Sequence, residues 1–144
     1  MVVNGLLLPR ELLALMDTGR WKTPADCSGV DRLFPENDGL CLYCPYLMES
    51  ETKGFYRADK QIPMWLGAPD PDNPPGDIDP HLTVLVADLG WGFDQPIALD
   101  YRVSRDRPRV LTLQWSKQWS ERGDGNRWVE IAPDIQTFAD LVGL

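Results

Sequence analysis

Three apolar runs follow one another between Leu82 and Trp115 with turn chemistry between them, and any fold of this chain must accommodate all three. The first, Leu82-Thr83-Val84-Leu85-Val86-Ala87, is apolar on both strand faces, which predicts a strand covered from both sides at the middle of a sheet. Gly90-Trp91-Gly92-Phe93-Asp94-Gln95-Pro96 then interrupts it. Two glycines free the backbone and Pro96 confines it to turn or strand-edge geometry, so the chain reverses there. Beyond the turn, Ile97, Leu99 and Tyr101 alternate with Ala98, Asp100 and Arg102. After the polar stretch Ser104 to Pro108 the alternation resumes from Val110 to Trp115, giving strand, turn, strand.

The remainder alternates short helical and strand patterns around this unit. Pro9 suits a first helical position, and Leu12, Leu13 and Met16 recur at helical spacing until Gly19 stops them. Trp21 to Asp38, punctuated by Pro24, Gly29 and Pro35, reads as loop with room for one short strand. Leu40 to Tyr43 is a strand candidate. Pro45 opens a helix in which Met48, Thr52 and Phe55 recur at i, i+4 and i+7, with Gly54 weakening its end. Met64-Trp65-Leu66 reads as a short edge strand. From Gly67 to Pro80, Pro69, Pro71, Pro74, Pro75 and Pro80 stand among Asp70, Asp72, Asp77 and Asp79, a density of prolines that predicts an exposed acidic loop between strands. Downstream, Gly123-Asp124-Gly125-Asn126 signals a turn, Trp128 to Ile131 a last strand, and Asp134 the cap of a closing helix with Ile135, Phe138 and Val142 on one face.

Composition narrows the class. The 144 residues fit one domain spanning 1–144, long enough to bury about two thirds of the unfolded surface in a single core. With 43% hydrophobic residues and six tryptophans, most of them expected in the core, the chain is a packed globule rather than a disordered one. Net charge −8, from 14 basic against 22 acidic residues, argues against a nucleic-acid surface, which needs a basic stripe. Two readings of that charge stand side by side: a basic protein partner, or a surface that is merely soluble. The apolar start, Met1 to Leu8, lacks a basic flank, and no run approaches the ~20 apolar residues of a membrane span. Three cysteines, an odd number, suit a reducing compartment, so the cytoplasm is expected.

Candidate chemistry is sparse. Cys41-Leu42-Tyr43-Cys44 has the gap of a zinc or redox pair, but only Cys27 and the single histidine, His81, are available as further soft ligands. Residues 41 and 44 of a strand also point to opposite faces, so buried thiols acting as small hydrophobes are expected. Asp70-Pro71-Asp72-Asn73 with Gly76-Asp77 imitates a calcium loop without its closing glutamate. Glu36 with Glu51 and Lys53 imitates a metal-dependent nuclease, yet residues two apart on a helix do not face each other. Asp88, Asp94 and Asp100 suggest a carboxylate cluster for glycoside chemistry, against the plainer reading that they fix turns. His81, beside Pro80, is expected at the surface rather than in a triad. What remains is recognition: Trp91 and Phe93 in a glycine-rich turn either anchor a partner or fold back over the core, with Trp65 and Trp119 as weaker candidates of the same kind.

Asp88-Leu89-Gly90-Trp91-Gly92-Phe93-Asp94-Gln95-Pro96-Ile97-Ala98-Leu99-Asp100-Tyr101, then Pro108-Arg109-Val110-Leu111, then Trp128-Val129-Glu130-Ile131-Ala132-Pro133 before a final helix, resembles the SMI1/KNR4 (SUKH) family over the C-terminal half, with a looser match before it. The positions that follow its pattern are Gly90, Gly92, Asp94, Asp100 and Trp128; Trp91 and the proline loop do not belong to it. The resemblance implies a single α+β domain, a mainly antiparallel sheet flanked by N-terminal, middle and C-terminal helices, in agreement with the element order read from the residues. It also implies a non-enzymatic bacterial immunity protein, with no cofactor or metal, that binds and neutralises a polymorphic or contact-dependent toxin domain of nuclease or deaminase type. Trp91, Phe93, Asp94, Asp70, Asp72, Asp77 and Asp79 are the partner-binding candidates for a basic toxin face. The alternatives are a scaffolding domain, as in fungal relatives, and, more remotely, a metal-dependent hydrolase.

Overall fold

The computed structural model describes residues 1–23, 28–34, 39–58, 65–89, 95–115 and 125–144. Its N-terminus is a hairpin, β1 (Val2–Val3) and β2 (Leu6–Leu7), where the sequence analysis assigned no element. Asn4 and Gly5 turn it at φ of 53° and 76°, the positive angles that a two-residue turn matching strand twist demands. Helix α1 (Arg10–Asp17) follows directly after Pro9 and ends before Gly19, as its pattern predicts, with Leu12 and Leu15 buried.

The five other strands lie in one sheet in sequence order: β3 (Leu40–Leu42), β4 (Thr83–Leu89), β5 (Pro96–Asp100), β6 (Arg109–Gln114) and β7 (Arg127–Ala132), every neighbour antiparallel. The middle strand is therefore β5, and the expectation that the Leu82 to Ala87 run holds the centre is corrected by one position. The error has a physical source. Asp100 gives β5 a polar reading, yet every residue of β4 and of β5 is buried, so both strands are covered on both faces. Pro96 sits at the first position of β5, where a missing N–H is tolerated.

Helix α3 (Pro45–Ala58) packs on β4 with Met48, Thr52 and Phe55 buried, as their spacing predicts. Its contact with β4 is specific. The β4–β5 register shifts between Leu85 and Ala87, and the Thr52 hydroxyl accepts the Leu85 N–H at 2.9 Å where the ladder is irregular. Helix α4 (Ile135–Val142) packs on β6 and β7. Asp134 caps it by accepting from the Thr137 N–H at 2.8 Å, and Ile135, Phe138 and Val142 are buried together, again as expected. Helix α2 (Ser28–Leu33) replaces the loop or strand expected between Trp21 and Asp38. Gly29, read as loop punctuation, is instead a point of close approach, because a Cβ there would lie 2.6 Å from the Leu141 carbonyl of α4.

Two further expectations change. Trp65 and Leu66 lie in a turn rather than an edge strand, and Met64 falls outside the described residues. The stretch from Gly67 to Pro80 is not a wholly exposed loop: Pro75, Gly76, Ile78 and Pro80 are buried. Gly76 exchanges two backbone hydrogen bonds with Trp128, at 3.0 and 2.8 Å, so the loop covers part of the free edge of β7. The result is an α+β domain with one apolar core drawn from the hairpin, all four described helices and the five-stranded sheet. No helix among the described residues is long and apolar enough to cross a membrane.

Candidate functional site

Of the acidic candidates, most are engaged within the fold. Asp100, at the end of β5, has a side chain that is 0% exposed and accepts from the Arg102 backbone N–H at 3.1 Å, from Arg102 Nε at 2.9 Å and from Arg109 Nε at 2.9 Å. Burial alone pushes this carboxyl up, but the hydrogen bonds and charge of Arg102, joined by Arg109, outweigh it and hold it below the ordinary carboxylate range. Arg102 also donates to the Asp77 carboxylate at 2.9 Å and to its carbonyl at 2.8 Å. Asp77 and Asp100, proposed from sequence for different reasons, are thus two ends of one knot that ties the acidic loop to β5.

The other loop acids are placed by the same logic. Asp70 accepts the N–H groups of Asp72 and Asn73 at 3.1 and 3.2 Å, closing a local turn, and stands 3.9 Å from Arg127. Asp79 accepts the His81 N–H at 2.9 Å and caps a short 3-10 turn. Asp72 alone of the four is an exposed residue. Trp128 is buried, donates through Nε1 to the Trp65 carbonyl at 2.8 Å, and meets the Phe55 ring edge-on at 6.0 Å. Gly90, Trp91, Gly92, Phe93 and Asp94 lie outside the described residues, as do Cys27, Glu36 and Trp119. The weaker anchor candidate Trp65 is half-buried against Trp115, with ring centroids 5.3 Å apart.

The cysteines correct an expectation. Cys41 and Cys44 are both exposed, not buried: next to the buried Leu40 on β3, Cys41 takes the opposite, outer face, and Cys44 sits just before α3. Among the described residues no group of three or more His, Cys, Asp or Glu is placed to hold a metal ion. His81 is exposed, and Asp88 accepts the Gln95 N–H at 3.1 Å, which fits the turn-fixing reading of that carboxylate. Lys53 pairs with Glu49 one turn away rather than with Glu51.

A different face is left open. On α3, Tyr46 is 77% exposed, and Glu49 and Gly54 lie one and two turns further along the helix on its exposed side. Gly54 lines a cavity of about 220 Å³ together with Tyr43, Glu51, Phe55, Trp65, Leu85 and Pro96, and Glu51 is the one charged residue among its described lining. Burial pushes the Tyr43 phenol up, and Asp88 and Glu51 push it the same way, so it stays a neutral hydroxyl in a negative field. Gly54 is the sequence signal for this face. A glycine inside a helix costs about 0.8–1.0 kcal/mol relative to alanine, yet here its φ is not left-handed and an added Cβ would meet nothing described within 4 Å. No described neighbour requires it.

The sheet and the helices that cover it define the class as an α+β domain. Comparison with protein-family models, with curated proteins and with solved structures gives no match, so neither a family nor a relative defines the chain further.

Proposed function

We propose that this chain is a non-enzymatic protein-binding domain of the cytoplasm, an immunity protein that binds and neutralises a basic toxin domain of nuclease or deaminase type. The observation that carries the reading is the α3 face. There a cavity lined by apolar residues and Glu51 adjoins a helix that also carries the exposed Tyr46 and Glu49, on a chain of net charge −8. Exposed aromatics seated among acids supply anchor energy, and the net charge speeds encounter with a basic partner. The resemblance of the C-terminal half to SMI1/KNR4 proteins supplies the toxin class.

The test is co-expression with the C-terminal domain encoded by the neighbouring upstream gene, scoring growth and co-purification. Rescue of growth with a stable complex supports the proposal. A toxic neighbour with neither rescue nor complex removes the immunity reading for that pair, and a scaffolding role then leads. In a complex that does form, an association rate that falls as salt rises supports electrostatic steering, whereas a rate indifferent to ionic strength removes the charge argument.

A further inference from the structure

The cavity between α3 and the sheet is small for a free ligand. At about 220 Å³ it lies below the roughly 300–1,000 Å³ of drug-sized sites. Its size suits one side chain of a partner. Its described lining includes Tyr43, Phe55, Trp65, Leu85 and Pro96, and the one charged residue in that described lining is Glu51, which is half-buried and has no ion-pair partner among the described residues. An apolar sleeve with a single carboxylate complements a long aliphatic stem that ends in a cation. Neutral aliphatic side chains would fill the walls and leave Glu51 partly desolvated without compensation.

We infer that this cavity receives a lysine or arginine side chain of a basic protein partner, its stem against Phe55, Trp65 and Leu85 and its cation on Glu51, and that Gly54 keeps the mouth open. The inference deepens the protein-binding reading and rests on it. Two independent features point the same way. The field at Tyr43 is negative, from Asp88 as well as Glu51. The helix carries a glycine that neither its backbone angle nor the packing of any described neighbour requires, at a position lining the cavity.

The test needs no toxin, so its failure is distinguishable from failure of the immunity reading. The full chain is titrated with n-butylammonium, n-butylguanidinium and n-butanol at matched ionic strength, following the amide signals of Glu51, Gly54 and Leu85 and the indole signal of Trp65. Saturable shifts at these four residues with the cations, and much weaker shifts with n-butanol, are expected. Glu51→Gln should weaken cation binding by about tenfold, the scale of one lost hydrogen bond to a charged group. Gly54→Leu should abolish binding while the melting temperature holds or rises, because its Cβ enters open space and leucine favours the helix. The inference is overturned by an absence of saturable shifts, by n-butanol binding as well as the cations with Glu51→Gln unaffected, or by a folded Gly54→Leu that binds like the parent.

Discussion

Asp100 and Glu51 are both carboxylates beside the sheet, and strand β5 connects their surroundings: it begins at Pro96, in the wall of the α3 cavity, and ends at Asp100 in the arginine knot. At the knot the charge is fully buried and held by Arg102 and Arg109, with Asp77 drawn in behind them. At the cavity the charge is half-buried and unpaired among the described residues. The difference teaches that acidity in this chain serves two ends. Asp100 and Asp77, joined through Arg102, hold the loop to the sheet, whereas Glu51 beside the cavity has no described ion-pair partner and is the carboxylate the proposed binding would use.

Substitutions at the two sites should separate these roles. The largest effect is expected at the knot, where Asp100→Ala removes the buried acceptor shared by Arg102 and Arg109, leaves them only Asp77 and Glu130, and costs about 3 kcal/mol by urea unfolding. A loss near zero would show that the knot is no more than a surface pair. The same carboxyl sets a pH dependence. Its folded pKa lies below the unfolded value, so the unfolded chain binds more protons as pH falls, and the stabilisation is present above the unfolded value and lost through the folded one. The stability gap between the parent and Asp100→Asn should therefore shrink below about pH 4, and a gap constant down to pH 2 would contradict the assignment.

Next in size is Thr52→Val. It keeps the shape but leaves the Leu85 N–H at the β4 irregularity without its acceptor, for a loss of about 1–3 kcal/mol. At the cavity the sign reverses. Gly54→Ala should stabilise by about 0.5–1 kcal/mol, and a loss instead would mean that the glycine serves the fold. Glu51→Gln is the smallest, within about 0.5 kcal/mol in the free chain, since no described ion pair is broken.

What the sequence disclosed follows how local each determinant is. Periodicity placed α1, α3 and α4, and alternation placed β5 and β6, because each pattern repeats within a few residues. Asp134 was legible as a cap for the same reason. Non-local determinants were hidden: the place of β3 beside β4, the closure of the acidic loop onto Trp128, and the packing of Gly29 against α4 depend on residues far apart in the chain. The candidate site divides the same way. Asp70, Asp77 and Asp79 were legible as an acidic group, and Asp70 and Asp79 bond N–H groups two or three residues ahead, whereas the inward bond of Asp77 was hidden because Arg102 reaches it across 25 residues. The cavity lined by Glu51 and Gly54 was hidden, because its other walls, Trp65, Leu85 and Pro96, come from distant parts of the chain. The N-terminal hairpin was legible too, in Asn4-Gly5 between apolar pairs, and was missed.

Amide hydrogen exchange of the chain, free and in complex with the toxin domain recovered by co-expression, tests most directly whether α3 is the binding face. The account predicts that exchange slows on complex formation in α3 between Tyr46 and Phe55, with the knot around Asp100 unchanged. Protection confined to the loop from Gly67 to Pro80 or to α4, while α3 exchanges as in the free chain, would contradict it.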